Sequence, residues 1–299
     1  RRMYDIALSV SACARSGTRA DVAWMVSPRA SDEAIAFTPG GGRIGSLCGG
    51  AFDGVLADVA ARQHPTGKYV RHTVTSWESE ASGLVQGTAV EFLVVAASAF
   101  PAGMWPRVLQ RDALAVTVAL SGDDVLEVSA VGADSAQGPV AEMLARGACA
   151  VSVQDSGIVT CLVPVTRLVI AGGGPIAEAL AANAALLGWK VAVETRPDHV
   201  LGLTAPLSPL DAVVVMGHDV ENSSRNLMAA LASDAGYIGA LGSRKMQEDR
   251  AEWLAYREVT DTTRVHGPAG INIGARTPAQ IAVSVLAEAI AILVGDSSS

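Results

Sequence analysis

Three consecutive glycines, Gly172, Gly173 and Gly174, separate a short apolar run from an alanine-rich segment, and no stretch of this chain is better suited to chemistry. The spacing Gly172-x-Gly174-x-x-Ala177 is that of a strand-to-helix turn that holds a phosphate. Glycine at 172 supplies the backbone angles of a tight turn. Glycine at 174 lets the chain approach a phosphate with no Cβ in the way, and Ala177 lets the helix sit close on the strand. Pro175 suits a first helical turn, where its missing N–H has no partner to lose. The free N–H groups there, with the helix dipole, favour an anion. Glu194 follows about twenty residues on, where an acid can accept from ribose hydroxyls. A tight turn without any ligand is the alternative reading of the same residues.

Other reactive residue types recur at comparable places. His218 and Asp219 follow the apolar run 211–216, and Gly242, Ser243, Arg244 and Lys245 follow the run 237–241. His218 can hydrogen-bond a heterocycle or a phosphate, or simply form a helix cap with Asp219. Arg244 and Lys245 oppose the dipole of the helix they open, which suits a bound anion. Arg196 can neutralise phosphate or pair with Glu194. In the first half of the chain, Cys48 precedes two glycines and stands near Asp53. A thiol entering a helix can have its pKa lowered by the dipole, or it can be a small buried hydrophobe. His64, His72, His199 and His266 show no ligand spacing and read as structural, as do Cys13, Cys149 and Cys161.

The elements that would position these groups follow from periodicity and punctuation. Residues 168–171, 190–193, 211–216 and 237–241 read as buried parallel strands alternating with helices over 175–187, about 223–232, from 244 onward and from 278. Residues 206–210 and 266–270 read as loops, and Thr277 with Pro278 as a cap and first turn. In such open sheets ligands bind outside the carboxyl ends of the strands, and here four ends carry the candidate groups. Upstream, helices are expected over 3–15, up to residue 62 from about 53, and 139–146. Strands are expected over 21–27, 68–74, 91–97, 114–120, 126–131, 149–154 and 158–163, with a loop at 39–43 and an irregular connection at 76–88. The fold class is therefore α/β: a Rossmann-like parallel sheet with helices on both faces over 166–299, and a mixed α+β domain over 1–165. Residues 296–299 read as a loose tail.

Composition narrows the function classes. Half the residues are hydrophobic and 17% are charged, enough for buried cores. The formal charge of −8 disfavours broad binding to nucleic acid or an anionic membrane. Four cysteines without a C-x-x-C suggest neither a zinc knuckle nor a disulfide framework, which suits a reducing cytoplasm. Residues 281–294 are apolar, but Gln280, Ser284 and Glu288 form a polar stripe, as on a helix packed against a sheet rather than a membrane span.

Several blocks, taken in order, resemble the XdhC/CoxI family of accessory proteins for molybdenum hydroxylases such as xanthine dehydrogenase and carbon monoxide dehydrogenase. They are the glycine turn, Glu194-Thr-Arg196-Pro197, His218-Asp219, Tyr237-Ile-Gly-x-Leu-Gly-Ser243-Arg244, Gly267-Pro-Ala-Gly270, Ile273-Gly-Ala-x-Thr-Pro278 and the final helix through Glu288. Ile44-Gly-Ser-Leu-Cys48-Gly-Gly-Ala-Phe-Asp53 is similar to the family's Gly-Gly motif, with the cysteine before the glycines rather than after them. The resemblance implies a chain that binds molybdenum cofactor (molybdopterin), supports its sulfuration with a cysteine desulfurase, and inserts it into an apo molybdenum hydroxylase, as an accessory homodimer rather than an enzyme. It implies cofactor contacts at Gly172, Gly173, Gly174, Ala177, Glu194, Arg196, His218, Asp219, Gly242, Ser243 and Arg244, with Cys48 as the thiol toward molybdenum and Asp53 beside it. Two alternatives stay open: an NAD(H)-dependent oxidoreductase that uses Glu194 for the ribose, and a non-catalytic adaptor with a vestigial nucleotide pocket.

Overall fold

The computed structural model describes residues 2–154 and 157–294, and the chain divides into two compact units, Arg1–Pro164 and Val165–Ser299. Residues 296–299, expected to be a loose tail, lie outside the described residues.

In the first unit the elements run α1 (Met3–Ser16), β1 (Asp21–Ser27), β2 (Ala34–Thr38), β3 (Gly42–Gly45), α2 (Asp53–Ala61), β4 (Gly67–Thr73), α3 (Ser76–Ser82), β5 (Ala89–Ala96), α4 (Met104–Leu109), β6 (Leu114–Ser121), β7 (Asp124–Gly132), α5 (Gly138–Ala145), β8 (Ala150–Gln154) and β9 (Gly157–Leu162). Among the described residues the strands form one antiparallel sheet ordered β3-β2-β1-β5-β4-β7-β6-β9-β8. The sheet bends back on itself: the buried Trp24 of β1 donates through Nε1 to Thr160 Oγ1 of β9 at 3.1 Å, although the two strands are far apart in sheet order. Trp24, Leu93, Val116, Val118 and Ile158 pack with Met3, Ile6 and Val10 of α1 in one core.

Three expectations are corrected in this unit. Residues 39–43 are not all loop, because Gly42 and Arg43 belong to β3, which pairs with the unforeseen β2 across a tight turn. The connection 76–88 holds a helix, started by a capping box in which Thr75 Oγ1 accepts from Glu78 N while the Glu78 carboxylate accepts from Thr75 N. Helix α4 was also unforeseen. Its apolar side is short, so its position is set by tertiary burial of Met104, Trp105 and Val108.

The second unit alternates β10 (Arg167–Ala171), α6 (Pro175–Leu186), β11 (Lys190–Glu194), α7 (Pro197–Thr204), β12 (Ala212–Val215), α8 (Val220–Leu231), β13 (Tyr237–Ala240), α9 (Arg244–Ala255), β14 (Val265–His266) and α10 (Pro278–Val294). Its sheet is wholly parallel and ordered β11-β10-β12-β13-β14. Alternate residues serve opposite faces. Leu168, Ile170, Ala212 and Val214 meet α6 and α10, whereas Val169, Ala171, Val213 and Val215 meet α7, α8 and α9. Burial on both sides explains why these strands read as unbroken apolar runs. The helices do cover both faces.

Two further expectations change here. Residues 197–204, which carried no helical expectation, form α7, with Pro197 in its first turn. The expected loop 266–270 begins inside a short fifth strand, because Val265 and His266 pair with Ile238 and Gly239. His266 also stacks on Tyr237, with ring centroids 5.3 Å apart.

Candidate functional site

The strand order reverses direction at β10: β11 lies on one side of it and β12 on the other. The chain therefore leaves β10 through α6 to one face and leaves β11 through α7 to the opposite face. A crevice opens at the carboxyl ends where such a switch occurs. A cavity of about 520 Å³ lies there, lined by Gly173, Pro175, Ile176, Met216, Gly217, His218, Leu241, Gly242, Ser243, Met246 and Ile281.

The glycine turn forms one wall. Gly172 has φ +139°, its N–H donates to Glu194 O at 2.9 Å, and a Cβ there would lie 2.9 Å from the Met216 carbonyl oxygen and against the Met216 side chain. Only glycine fits this crossing of β10 and β12. Gly174, the residue before α6, has φ +96°, and its Cβ position faces open space. No side chain caps α6, in contrast to α8 and α9, where Asp219 Oδ1 accepts from Asn222 N at 2.7 Å and Ser243 Oγ accepts from Met246 N at 3.3 Å. The first amides of α6 are thus left for an outside acceptor. Ala177 lies beneath the turn, 2% exposed, in the core between helix and sheet.

The structure brings Gly173, His218, Gly242 and Ser243 together on the cavity wall, with Gly172 and Gly174 completing the turn. Asp219 caps α8. Arg244 is exposed next to Ser243 and has no hydrogen-bond or ion-pair partner among the described residues. Glu194 and Arg196 sit at the end of β11, outside the cavity lining, and are joined to each other. Glu194 Oε1 accepts from Arg196 N at 2.9 Å and Nε at 3.2 Å, while Oε2 accepts from Arg196 Nη2 at 3.3 Å and lies 3.4 Å from His199 Nδ1. These contacts, with the Arg196 guanidinium foremost, lower the Glu194 pKa to about 2. Three Arg196 donors and the adjacent His199 ring crowd this carboxylate, so a ribose hydroxyl would have to compete with them.

Two side-chain clamps tie the loops of this unit together, and the first, beside the cavity, was not read from the sequence. Arg250, 1% exposed, reaches from α9 with Nε donating to Ser223 Oγ at 2.9 Å, Nη1 to Leu241 O at 2.7 Å and to Gln247 Oε1 at 3.3 Å, and Nη2 to Gly217 O at 3.0 Å. It ties together the loops that follow β12 and β13. Its pKa is lowered by burial, with no carboxylate beside it. An arginine amid the acids and bases of an exposed-looking helix gives no sign of this in sequence. The second clamp is Glu288, whose Oε2 accepts from Tyr237 Oη at 2.7 Å and Gly270 N at 2.8 Å. Burial and this carboxylate hold the Tyr237 phenol above its ordinary range. Ser284 Oγ donates to Ile271 O at 2.7 Å, and Gln280 Oε1 accepts from Arg276 N at 2.9 Å. The polar stripe read on α10 is therefore the anchor of the loop that precedes it, and its spacing of four was the signal.

Cys48 and Asp53 lie in the first unit, around a 3-10 turn at Cys48–Gly50. Cys48 has φ +47° and Gly49 φ +64°, a left-handed pair that costs a non-glycine residue about 1–3 kcal/mol. The Cys48 amide donates to Glu33 Oε2 at 3.0 Å. Asp53 Oδ2 pairs with Arg43 Nη1 at 3.0 Å, and its buried Oδ1 has no partner among the described residues. Of the two readings of Cys48, its surroundings suit the small buried hydrophobe better than the dipole-activated thiol. Cys48 is 7% exposed, and burial, then the Glu33 carboxylate, raise its pKa, with Arg29 opposing them weakly. Cys48 accordingly reacts with iodoacetamide at pH 7.4 at least ~10-fold more slowly than an exposed model thiol, because the thiolate is the nucleophile. Mass spectrometry of alkylated peptides measures this, and labelling as fast as in the unfolded chain would refute it. All four cysteines are unpaired, and among the described residues no group of three or more histidine, cysteine or acidic side chains is placed to hold a metal ion. Nor is any described helix long and apolar enough to cross a membrane.

Residues 168–289 match the family model described as the XdhC Rossmann domain. The chain is 31% identical over 174 residues to the uncharacterized protein YqeB of Escherichia coli (strain K12), covering 50% of this chain and 32% of that protein. It is 32% identical over 138 residues to the molybdenum cofactor insertion chaperone PaoD of the same organism, covering 43% of this chain and 41% of PaoD. These alignments thus span about a third to two-fifths of the relatives' own lengths. A crystal structure titled a xanthine dehydrogenase from Bacillus halodurans aligns over 98% of both chains at 19% identity with a TM-score of 0.46.

Proposed function

We propose, on the match of residues 168–289 to the XdhC Rossmann-domain model, that this chain is an accessory protein that binds molybdenum cofactor at the switch-point cavity and passes it to an apo molybdenum hydroxylase. The observation that carries this reading is the uncapped N-terminus of α6 behind Gly174, opening onto a largely apolar slot. Molybdopterin presents a terminal phosphate and a flat heterocycle. The phosphate suits the amides of the glycine turn, and the ring suits the walls made by Ile176, Met216, Leu241, Met246 and Ile281, with His218 and Ser243 as polar contacts. Arg244 adds an unneutralised positive charge nearby. A second support is the likeness to PaoD, a molybdenum cofactor insertion chaperone.

A dinucleotide is served less well. Its ribose hydroxyls would look to Glu194, whose oxygens are engaged by Arg196 and His199. The metal end of the cargo would be soft and would favour a thiolate. Cys48 of the first unit is the candidate thiol that the resemblance names, and its burial means that the role requires the side chain to become exposed. Sulfuration with a cysteine desulfurase belongs to the same proposal.

The test is anaerobic equilibrium binding of molybdopterin, with NAD(H) as competitor. We expect pterin binding that NAD(H) does not displace. Tight NAD(H) binding without pterin binding would overturn the reading in favour of an oxidoreductase, and binding of neither would favour an adaptor.

A further inference from the structure

A second cavity, of about 270 Å³, lies in the first unit, between the end of β2 with the turn that follows it and the C-terminal part of α2. It exists because both elements offer little side chain there. Gly40 and Gly41 of the turn, at φ +83° and +84°, have open space where a Cβ would stand, and Ala57 and Ala60 of α2 contribute only methyl groups. The buried Phe37 adds an apolar wall.

Arg19 supplies the charged part of the lining, and it is held rigidly. Its Nε donates to Asp21 Oδ2 at 2.8 Å, and its Nη2 donates to Asp21 Oδ1 at 2.7 Å and to His64 O at 2.6 Å. Because Asp21 is buried, this fork fixes the plane of the guanidinium. The N–H groups of Nε and Nη2 are thereby used, while those of Nη1 have no acceptor among the described residues. A donor pair held in place and left without an acceptor is preorganised for a ligand. Gln63 is the second such group. It follows α2 at φ +51°, with its N–H donating to Ala60 O at 3.0 Å, where a helix ordinarily ends on glycine. A side chain at that position strains the backbone, and what it adds is an amide on the cavity wall. The Thr38 hydroxyl lines the same cavity, and neither it nor the Gln63 amide has a partner among the described residues.

We propose that this cavity binds a small uncharged cyclic amide, a ring that carries a carbonyl oxygen beside an N–H. The carbonyl accepts from Arg19 Nη1, and the N–H donates to Gln63 Oε1 or Thr38 Oγ1. Charge favours a neutral ligand over an anion. The Arg19 cation is already matched by Asp21, and α2 brings the negative end of its dipole to this wall. The volume falls just below the range of sites for drug-sized ligands, which suits a small ring. The proposal is independent of what the switch-point cavity binds.

Titration of the full chain with 2-pyridone, followed by amide nuclear magnetic resonance, tests it. Saturation is expected near ~1 mM, with the shifts concentrated at Gly40, Gly41 and residues 57–63. N-methyl-2-pyridone, which lacks the N–H, binds at least ~5-fold more weakly, and benzoate, an anion of similar size, at least ~10-fold more weakly. Ala57→Leu fills the cavity and abolishes the shifts. Gln63→Gly separates recognition from folding: it raises the thermal midpoint by relieving the backbone, yet lowers the affinity for 2-pyridone at least ~5-fold. Absence of saturable shifts at these residues, benzoate that binds as tightly as 2-pyridone, or wild-type affinity in Gln63→Gly would overturn the proposal.

Discussion

Gly174→Val lowers the affinity for molybdopterin by ~100- to 1,000-fold while the fold of the second unit persists. The backbone at 174 sits at φ +96°, a region that costs a β-branched residue about 1–3 kcal/mol. The variant relieves that strain by rotating away from it, and the rotation misaims the first amides of α6. Each charge-assisted hydrogen bond to phosphate so lost is worth about 1.5–3 kcal/mol. A valine that keeps the native angles instead places its methyl groups in the open space in front of the turn, where the phosphate would lie. Both routes weaken binding, and neither creates a clash in the core. Gly172 offers no such separation, because its Cβ would meet Met216 directly and the sheet itself would be disturbed. Anaerobic titration calorimetry with molybdopterin measures the effect, and circular dichroism verifies the fold. An affinity equal to that of the wild type would remove the glycine turn from the site.

Arg250→Met destabilises the second unit by about 2–4 kcal/mol and weakens ligand binding with it. Two opposing effects decide the sign. Removing a buried cation that has no carboxylate beside it recovers desolvation energy, the same effect that lowers its pKa. Against this, the buried Ser223 hydroxyl and the partly buried Gly217 and Leu241 carbonyls on the cavity wall lose a shared donor, at about 1–3 kcal/mol for each group left unsatisfied. Three such groups outweigh one relieved charge. Arg250→Lys recovers only part of the loss, since an ammonium lacks the planar fork that spans the loops after β12 and β13. Urea unfolding of the full chain, followed by amide exchange in α8 and α9, measures both variants. Stability within about 0.5 kcal/mol of wild type for Arg250→Met would show that the clamp is dispensable.

These two positions differ in how far the sequence betrays them. Gly174 is marked by its neighbours: a β-branched run, two more glycines, a proline and an alanine at fixed offsets. Local sterics allow few other structures for that string, so the turn, the strand before it and the helix after it were all legible. The same holds for β12 and β13, whose unbroken apolar runs admit only burial on both sides, and for the Gln280, Ser284 and Glu288 stripe, whose period is that of one helix face. The arrival of His218, Gly242 and Ser243 near the glycine turn followed from a general rule about the carboxyl ends of parallel strands, not from any residue.

What the residues could not announce were contacts between segments distant in the chain. Arg250 stands in a strongly polar helix and becomes a buried clamp only because β12 and β13 bring Gly217 and Leu241 to it. Glu194 was read as a ribose acceptor from its spacing, and the start of α7, unforeseen because Gly202 and Thr204 weaken it locally, brings Arg196 and His199 onto both of its oxygens. Cys48 could be read either as a thiol activated by the dipole of a nearby helix or as a small buried hydrophobe, and its burial and the approach of Glu33 push the pKa up. Strand order, too, lay outside the reach of periodicity, which fixes the face of each strand and says nothing of its neighbour. Local sterics and hydrophobic period thus determined the long apolar strands, most of the helices and the glycine turn. The burial of Cys48, the occupied oxygens of Glu194 and the position of the cavity were decided by which elements pack together, because solvation and hydrogen-bond partners are properties of the assembled unit.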